Sequence, residues 1–159
     1  MAIRIGTGDD DLLKGTLKDD IIRGLGGDDA IDGRAGNDII IGGRGDDLSL
    51  RGGSGNDMFV FSTGDGTDQI QDYELGKDGL DVDRTTFGID DLKNVQIGGN
   101  NHDSDHDGNF VRETSANGKP ETILIFGVDK GFQEVDIIGI TLKQLIADIK
   151  NHPDHYSFF

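Results

Sequence analysis

The amino-acid sequence predicts an all-β fold, a parallel β-solenoid assembled from repeats of nine residues. From Gly6 to Val60 the chain divides into six consecutive rows, and each row begins with Gly and carries Asp at its sixth place. Five of these rows also have an apolar residue at the eighth place. The rows read GTGDDDLLK, GTLKDDIIR, GLGGDDAID, GRAGNDIII, GGRGDDLSLR and GGSGNDMFV. A fixed period of this kind indicates stacked units that bury one continuous core.

Each row combines a tight turn with a short strand. Gly at the first, second and fourth places allows positive φ and a close approach of the backbone. The three residues after the Asp form a strand whose middle side chain points away from its two neighbours. Two rows then make one coil, and the eighth-place side chains line its interior. These interior residues are Leu13, Ile22, Ile31, Ile40 and Phe59.

Row five departs from the pattern. Ser49 stands at the eighth place, and Arg51 is an extra residue before the next row. An extra residue in one strand is typical of a bulge. We therefore predict that Leu50, rather than Ser49, points into the core.

The charge balance limits the classes of partner. Asp and Glu outnumber Lys and Arg by 31 to 15, which gives a net charge of -16. This charge argues against nucleic acid and anionic membranes as partners, and it favours cations. The stacked Asp columns are either solvated or separated by positive ions. The chain has no Cys and no apolar stretch of membrane-spanning length, and its first residues lack the basic and apolar regions of a signal peptide.

The best rows, GGSGNDMFV and GRAGNDIII, match the pattern Gly-Gly-x-Gly-x-Asp-x-apolar-x. The chain thus resembles the RTX (repeats-in-toxin) calcium-binding parallel β-roll found at the C-terminal ends of type I-secreted proteins and in mannuronan epimerase R modules. The resemblance implies a right-handed roll that binds about four or more Ca²⁺ ions. It also implies a secreted protein with no N-terminal signal peptide, and the type I secretion apparatus as a partner.

In that family each calcium ion lies between turns two rows apart. The resemblance implies that the earlier turn contributes its second- and fourth-place carbonyls and its Asp as calcium ligands. The later turn contributes its first- and third-place carbonyls and its Asp. One implied site joins Leu25, Gly27 and Asp29 to Gly42, Arg44 and Asp47. Another joins Arg34, Gly36 and Asp38 to Gly52, Ser54 and Asp57. The remaining implied turn residues are Gly24, Gly26, Gly33, Ala35, Gly43 and Gly45.

Three further sites follow from the same resemblance. Two would pair Asp11 with Asp29 and Asp20 with Asp38, although Asp9 and Lys18 stand where the pattern has Gly. The third would lie opposite Asp47 and use a looser segment after the repeats. Its residues are Gly64, Gly66 and Asp68, with Asp65 or Asp72 as additional acids.

The outward residues of the even rows are apolar and require a cover. They are Ile21, Ile39, Ile41, Met58 and Val60. We predict that the C-terminal half packs on this face, with association between molecules as the alternative.

We divide the chain into the roll at 1–60, a β-rich flank at 61–140 that closes it, and a C-terminal segment at 141–159. The flank contains strands at 95–99 and 121–126 around an acidic insert at 98–120. In this insert DSDHDG has the spacing of an EF-hand loop, but place twelve is Thr114. Its candidate calcium ligands are Asp103, Asp105, Asp107 and Asn109; the alternative is an acidic hairpin tip.

The segment TLKQLIADIK predicts an amphipathic helix. Thr141 and Gln144 suit a capping box, and Pro153 prevents any continuation. The last residues, DHYSFF, resemble a C-terminal secretion signal; the alternative is a frayed terminus.

No catalytic motif is present in the sequence, so we predict that the chain is not an enzyme. The leading hypothesis is a calcium-binding module that folds outside the cell and supports type I secretion. The alternative is a polysaccharide-binding module of the alginate type, with a basic strip on its surface. The strip would consist of Lys14, Arg23, Arg34, Arg44 and Arg51.

Overall fold

The fold is given by a computed structural model that describes residues 1–62, 64–82, 110–116, 119–126 and 133–158. The strands of the repeats and of the segment that follows them are β1 (Ile3–Ile5), β2 (Leu12–Lys14), β3 (Ile21–Gly26), β4 (Ala30–Asp32), β5 (Ile39–Arg44), β6 (Ser49–Arg51), β7 (Met58–Phe61), β8 (Gly66–Ile70) and β9 (Gly79–Val82). The later elements are β10 (Phe110–Ala116), β11 (Lys119–Phe126), β12 (Gln133–Ile138), helix α1 (Leu142–Asn151), a 3₁₀ turn (Pro153–His155) and β13 (Tyr156–Phe158).

Successive strands of the roll alternate between two sheets. The six-stranded sheet has the order β1-β3-β5-β7-β9-β13, and the seven-stranded sheet has the order β10-β11-β12-β8-β6-β4-β2. Neighbouring strands are parallel, except that β11 is antiparallel to both β10 and β12. The protein is therefore a parallel β-solenoid of about four turns, as the sequence predicts.

The predicted interior residues form the core. Ile22, Ile31, Ile40 and Phe59 are each at most 1% exposed. Leu50 is fully buried and pairs with Ile31 and Ile70, which confirms that it enters the core. The extra residue of row five is Leu48 rather than Arg51, because Ser49 pairs with Ala30 and Arg51 pairs with Asp32. Leu13 is only partly buried, because β2 is the terminal strand of its sheet in the described structure.

Both stacks extend beyond the nine-residue rows. Strand β1 pairs with β3 ahead of the first row, and β8 and β9 follow the last. Ile70 and Leu80 continue the core column. Strand β1 was not predicted from the sequence, and its Ile3 and Ile5 are more than 60% exposed.

The predicted helix is confirmed together with its cap. Helix α1 starts after Thr141, whose hydroxyl accepts a hydrogen bond from the Gln144 N–H, while the Gln144 side chain accepts one from the Thr141 N–H. Leu145 and Ile149 are buried. No helix in the described part of the chain is long and apolar enough to cross a membrane.

A buried chain of polar side chains joins the C-terminal segment to the roll. The Tyr73 hydroxyl lies 2.9 Å from the carbonyl oxygen of Asp78 and 2.8 Å from the Tyr156 hydroxyl. Tyr156 donates to Asp148 at 2.5 Å, and His152 Nδ1 lies 3.0 Å from the other oxygen of that carboxylate. Burial acts to raise the pKa of Asp148, but hydrogen bonds from Tyr156, Gly76 and His152 outweigh it, so the pKa lies below its usual value. The tail is therefore ordered through β13 rather than frayed.

The cover predicted for the even rows stays a prediction, because much of the C-terminal half lies outside the described residues. Strands β9 and β13 extend the six-stranded sheet beyond β7, and β10–β12 extend the other sheet beyond β8. The described second half thus lengthens the two sheets at their ends, and Ile39 keeps 38% of its surface exposed.

Strands β10 and β11 form a hairpin, with Thr114 opposite Glu121. Residues 110–114, which are the last five places of the predicted calcium loop, lie in β10. The acidic residues ahead of them lie outside the described residues, so the calcium loop and its alternative, an acidic hairpin tip, both stay predictions. The strand expected at 95–99 lies outside the described residues, whereas the one at 121–126 is confirmed within β11.

Candidate calcium-binding turns

Turns two rows apart lie directly on one another. The Gly27 N–H donates to the Arg44 carbonyl at 2.9 Å, and the Gly36 N–H donates to the Ser54 carbonyl at 3.0 Å. Gly26 pairs with Arg44, and Ala35 pairs with Ser54. The turn of row three therefore stacks on that of row five, and the turn of row four on that of row six. These are the turns that the resemblance pairs.

Asp recurs at the sixth place of each row and so produces two columns of carboxylates, one along each edge of the roll. In each column the main-chain N–H of one Asp donates to Oδ1 of the next, at 2.8 to 3.1 Å. The first ladder consists of Asp11, Asp29, Asp47 and Asp68. The second ladder consists of Asp20, Asp38, Asp57 and Asp78. These hydrogen bonds fix the spacing and the orientation of the carboxylates.

Four of these carboxylates each keep one oxygen without a hydrogen-bond partner. The side chains are at most 3% exposed, and the Oδ2 atoms are inaccessible to solvent. The four atoms are Oδ2 of Asp29, Asp38, Asp47 and Asp57. A buried, unpaired carboxylate oxygen is costly unless a cation or a donor compensates it. This is the donor chemistry that Ca²⁺ prefers.

The first-place glycines leave room where these oxygens converge. A Cβ atom on Gly24 would lie 1.9 Å from Oδ2 of Asp29 and 2.4 Å from the carbonyl oxygen of Gly42. On Gly33, it would lie 2.5 Å from Oδ2 of Asp38 and 2.6 Å from the carbonyl oxygen of Gly52. In each turn, therefore, the side-chain oxygen and a main-chain oxygen of the next turn approach the same point. The residues present fit a calcium ion held between turns.

Burial and like charge shift the carboxyl groups toward the neutral form. Burial raises the pKa of Asp38, Asp47 and Asp78 to about 6, and neighbouring carboxylates add to the shift. Burial also raises the pKa of Asp29 and Asp57. Without a cation, the ladders therefore hold charges that the fold disfavours.

These shifts predict opposite effects of pH on the ion-free and calcium-bound forms. Between the ordinary pKa of 3.8 and about 6, the ion-free folded chain binds more protons than the unfolded chain. Its stability is therefore greatest at low pH and decreases as the pH rises through this window. Calcium competes with these protons, so its affinity should fall about tenfold for each carboxyl group that it must deprotonate when the pH is lowered from 7 to 5.

Calcium titrations at pH 7 and pH 5, followed by circular dichroism, measure both effects. We expect the ion-free chain to be more ordered at pH 5 than at pH 7. An equal calcium affinity at the two pH values would contradict the prediction.

The segment after the repeats completes both ladders, partly with residues that the sequence analysis missed. Asp68 follows Asp47 in the first ladder, as the resemblance implies for the turn with Gly64 and Gly66. Asp78 follows Asp57 in the second ladder, and this position was not predicted from the sequence. Both lie 21 residues after their partners, so this shared spacing was the signal in the sequence.

Two other acidic positions form structural contacts. Asp72 accepts hydrogen bonds from Gly52 N–H and Gly53 N–H, at 3.0 and 3.1 Å. The fifth-place residues form outer columns in which each side chain accepts a hydrogen bond from the next turn, at 2.8 to 3.0 Å. These acceptors are Asp10, Asp19, Asp28, Asn37 and Asp46. This role was not predicted from the sequence, although every row has Asp or Asn at the fifth place.

In the described part of the chain, no three Asp, Glu, His or Cys side chains converge on one point. The main-chain carbonyls of the turns are therefore required in addition to the ladder carboxylates. The candidate ligands Asp103, Asp105, Asp107 and Asn109 lie outside the described residues.

The predicted basic strip is not a single surface. Lys14, Asp32 and Arg51 are neighbours on the seven-stranded sheet, with the acidic residue in the middle. Arg23 lies on the six-stranded sheet, between Ile5 and Ile41. Arg34 and Arg44 lie in turns on opposite edges of the roll. Alternation of the rows between two sheets and two edges is the reason for this dispersal.

Comparison with known proteins agrees with this geometry. A family model of the RTX calcium-binding nonapeptide repeat (4 copies) matches residues 5–40, 15–49 and 35–70. The chain is similar to the solution structure of the AlgE6R2 subunit from the Azotobacter vinelandii mannuronan C5-epimerase, with 28% identity and a TM-score of 0.62; the match covers 98% of this chain and 91% of that one.

The AlgE6R3 subunit of the same epimerase has the same fold, with 23% identity, a TM-score of 0.53, and coverage of 96% of this chain and 80% of that one. Among curated proteins, no sequence matches the chain. Residues 5–70 are thus RTX calcium-binding nonapeptide repeats, and the chain shares its solenoid fold with the epimerase R subunits.

Proposed function

We propose that this chain is a non-catalytic module whose roll folds when about four calcium ions bind between its stacked turns. The observation that carries the proposal is the set of four buried Oδ2 atoms without partners, all within the matched calcium-binding repeats. Each of these Oδ2 atoms lies next to the space that the first-place glycine of its row leaves open. No other donor compensates these atoms in the described structure.

Four pairs of turns provide the proposed sites. Asp29 and Asp47 hold one ion with the carbonyls of their turns, and Asp38 and Asp57 hold the second. The first ladder continues with Asp47 and Asp68, and the second with Asp57 and Asp78. A bound ion supplies positive charge between two carboxylates that otherwise repel each other, and it accepts oxygen ligands in flexible geometry.

Coupling of binding to folding gives the proposed role in secretion. At low calcium the acidic repeats repel one another and the unfolded chain is favoured, which suits passage through a narrow export channel. At the higher calcium concentration outside the cell, binding favours the roll. In this proposal the module supports type I secretion of the protein that contains it, and DHYSFF contributes to recognition by the export apparatus.

The experiment that tests the proposal is a calcium titration of the chelator-treated chain, followed by far-UV circular dichroism. We expect a cooperative gain of β-structure as calcium is added. A chain that is equally ordered in chelator, or that binds no calcium, would contradict the proposal.

A second candidate function is polysaccharide binding, favoured by the similarity to the epimerase R subunit. A shallow groove on the seven-stranded sheet is lined by Lys14, Asp32, Ser49 and Arg51, among others. The net charge of -16 opposes a polyanionic ligand. Retention on an alginate column in calcium, abolished by K14A/R51A but not by R23A on the other sheet, is the expected result for this function. No retention of the folded wild-type chain would exclude it.

A further inference from the structure

The first two turns of the roll have a chemistry that the turns of rows three to six lack. The N–H and hydroxyl groups of Thr7 both donate to Oδ2 of Asp11, at 2.6 and 2.9 Å. Thr16 makes the same two contacts with Oδ2 of Asp20, at 2.6 and 2.7 Å. The Thr16 N–H lowers the pKa of Asp20, in contrast to the raised pKa values farther along the second ladder. Oδ2 of each of these carboxylates is thus satisfied within its own turn.

The backbone explains why rows one and two are closed in this way and rows three to six are not. The second-place residues of rows three to six all have positive φ, between 80° and 109°. They are Leu25, Arg34, Gly43 and Gly53. Neither Thr7 nor Thr16 adopts positive φ, which β-branched residues strongly disfavour. Their N–H groups instead point at the carboxylate.

The fourth place differs in the same two rows. Gly27, Gly36, Gly45 and Gly55 have φ values between 100° and 150°, whereas rows one and two carry Asp9 and Lys18, which have no positive φ. The Thr7 hydroxyl also lies 3.4 Å from the Asp9 carbonyl, and the Thr16 hydroxyl 3.4 Å from the Lys18 carbonyl. Each threonine thus contacts both the carboxylate and the fourth-place carbonyl of its row, and these are the groups that a cation would need.

We propose that Thr7 and Thr16 take the place of a cation in the first two turns, so that the roll binds its ions only from row three onward. This inference rests on the proposed calcium-binding function and adds which turns are excluded from it. Two donors directed at Oδ2 occupy the oxygen and present hydrogen atoms to an incoming cation. The pairs Asp11–Asp29 and Asp20–Asp38, which the resemblance implies as sites, are then closed by hydroxyl groups.

The first two turns also fix the orientation of carboxylates in the first proposed ion sites. The Asp11 N–H holds Oδ1 of Asp29, and the Asp20 N–H holds Oδ1 of Asp38, each at 2.8 Å. Oδ2 of Asp29 and Asp38 therefore remains directed into its own turn. The first two turns, which need no ion, thus orient Asp29 and Asp38, and these are the first carboxylates of the two ladders that need a cation.

The test is to count the calcium ions bound per folded chain by equilibrium dialysis and native mass spectrometry. The variant T7G/D9G restores the repeat pattern in row one, and T16G/K18G restores it in row two. We expect four ions in the wild-type chain, five in either variant and six in the combined variant. The matched control D9G/K18G keeps both threonines and should still bind four.

Several outcomes would overturn the inference. Six ions on the wild-type chain would show that the threonines do not exclude cations, and this result does not depend on whether any variant folds. Folded variants that bind no more ions than the wild type would also overturn it. Absence of calcium binding by the wild-type chain would instead contradict the proposed function, so the two failures are distinguishable.

Discussion

Removal of calcium at pH 7.5 is expected to unfold the repeats, and this is the largest effect predicted for the protein. One site filled at a hundred times its dissociation constant adds about 2.7 kcal/mol to the free energy of unfolding, so four independent sites add roughly 11 kcal/mol. This contribution is comparable to the whole stability of a typical domain, about 5–15 kcal/mol. Without calcium, the buried Asp38 and Asp47 carboxylates are left charged and uncompensated.

Urea unfolding in calcium and in chelator measures this difference. Magnesium at the same ionic strength is the control, because it is smaller and demands a stricter octahedral geometry than turns of carbonyls provide. We expect magnesium to restore little of the lost stability. Full restoration by magnesium would mean that general screening of the acidic chain, rather than specific binding, stabilises the roll.

The second large effect is expected from Asp47→Asn. Asp47 belongs to two proposed sites, because its Oδ1 accepts from the Asp29 N–H and its own N–H donates to Asp68. The amide places a donor at the Oδ2 position and removes the charge, so both ions of the first ladder should be lost. The calcium-dependent part of the stability should fall by about 5 kcal/mol.

Asp46→Asn is the matched control, since it makes the same change in charge at the adjacent residue. Asp46 is exposed, and its Oδ1 accepts from the Thr67 N–H at 3.0 Å. Asn37 performs the same role toward Asn56 at 2.9 Å, so an amide is compatible with this position. We expect a change within about 0.5 kcal/mol and no loss of ions.

The comparison uses the difference in unfolding free energy between calcium and chelator for each variant. This difference cancels the relief of charge repulsion that both substitutions bring. Equal losses in D46N and D47N would contradict the assignment of Asp47 to the sites.

The nine-residue period was sufficient to predict the solenoid, its core and the pairing of its turns. An apolar residue at a fixed place must enter the same column in every coil, so Ile22, Ile31 and Ile40 could be placed from the sequence. The pairs Asp29–Asp47 and Asp38–Asp57, which the resemblance to the RTX roll implies, are neighbours in the two ladders. A repeat constrains geometry because each unit must match the next one.

Features outside the period could not be predicted in this way. Strand β1 lacks a turn of the repeat type, and Asp78 follows Asp57 at a spacing that the rows do not share. The closure by Thr7 depends on a backbone conformation, which residue types alone indicate only weakly. The cover of Ile39 stays a prediction, because apolar exposure shows that contact is favourable but does not identify the partner.

The buried hydroxyl pair of Tyr73 and Tyr156 has a consequence for the order in which the chain assembles. Coils within the roll join residues only 18 to 21 apart, so each new coil closes a short loop on the one before. Strand β13 is different, because Tyr156 pairs with Leu80 across a much longer stretch of chain. A fourfold longer loop costs only about 1.2 kcal/mol more in closure entropy. Pairing of the last strand thus adds little closure entropy to the free energy of folding. Its Tyr156 reaches Tyr73 only when the preceding coils are already in register.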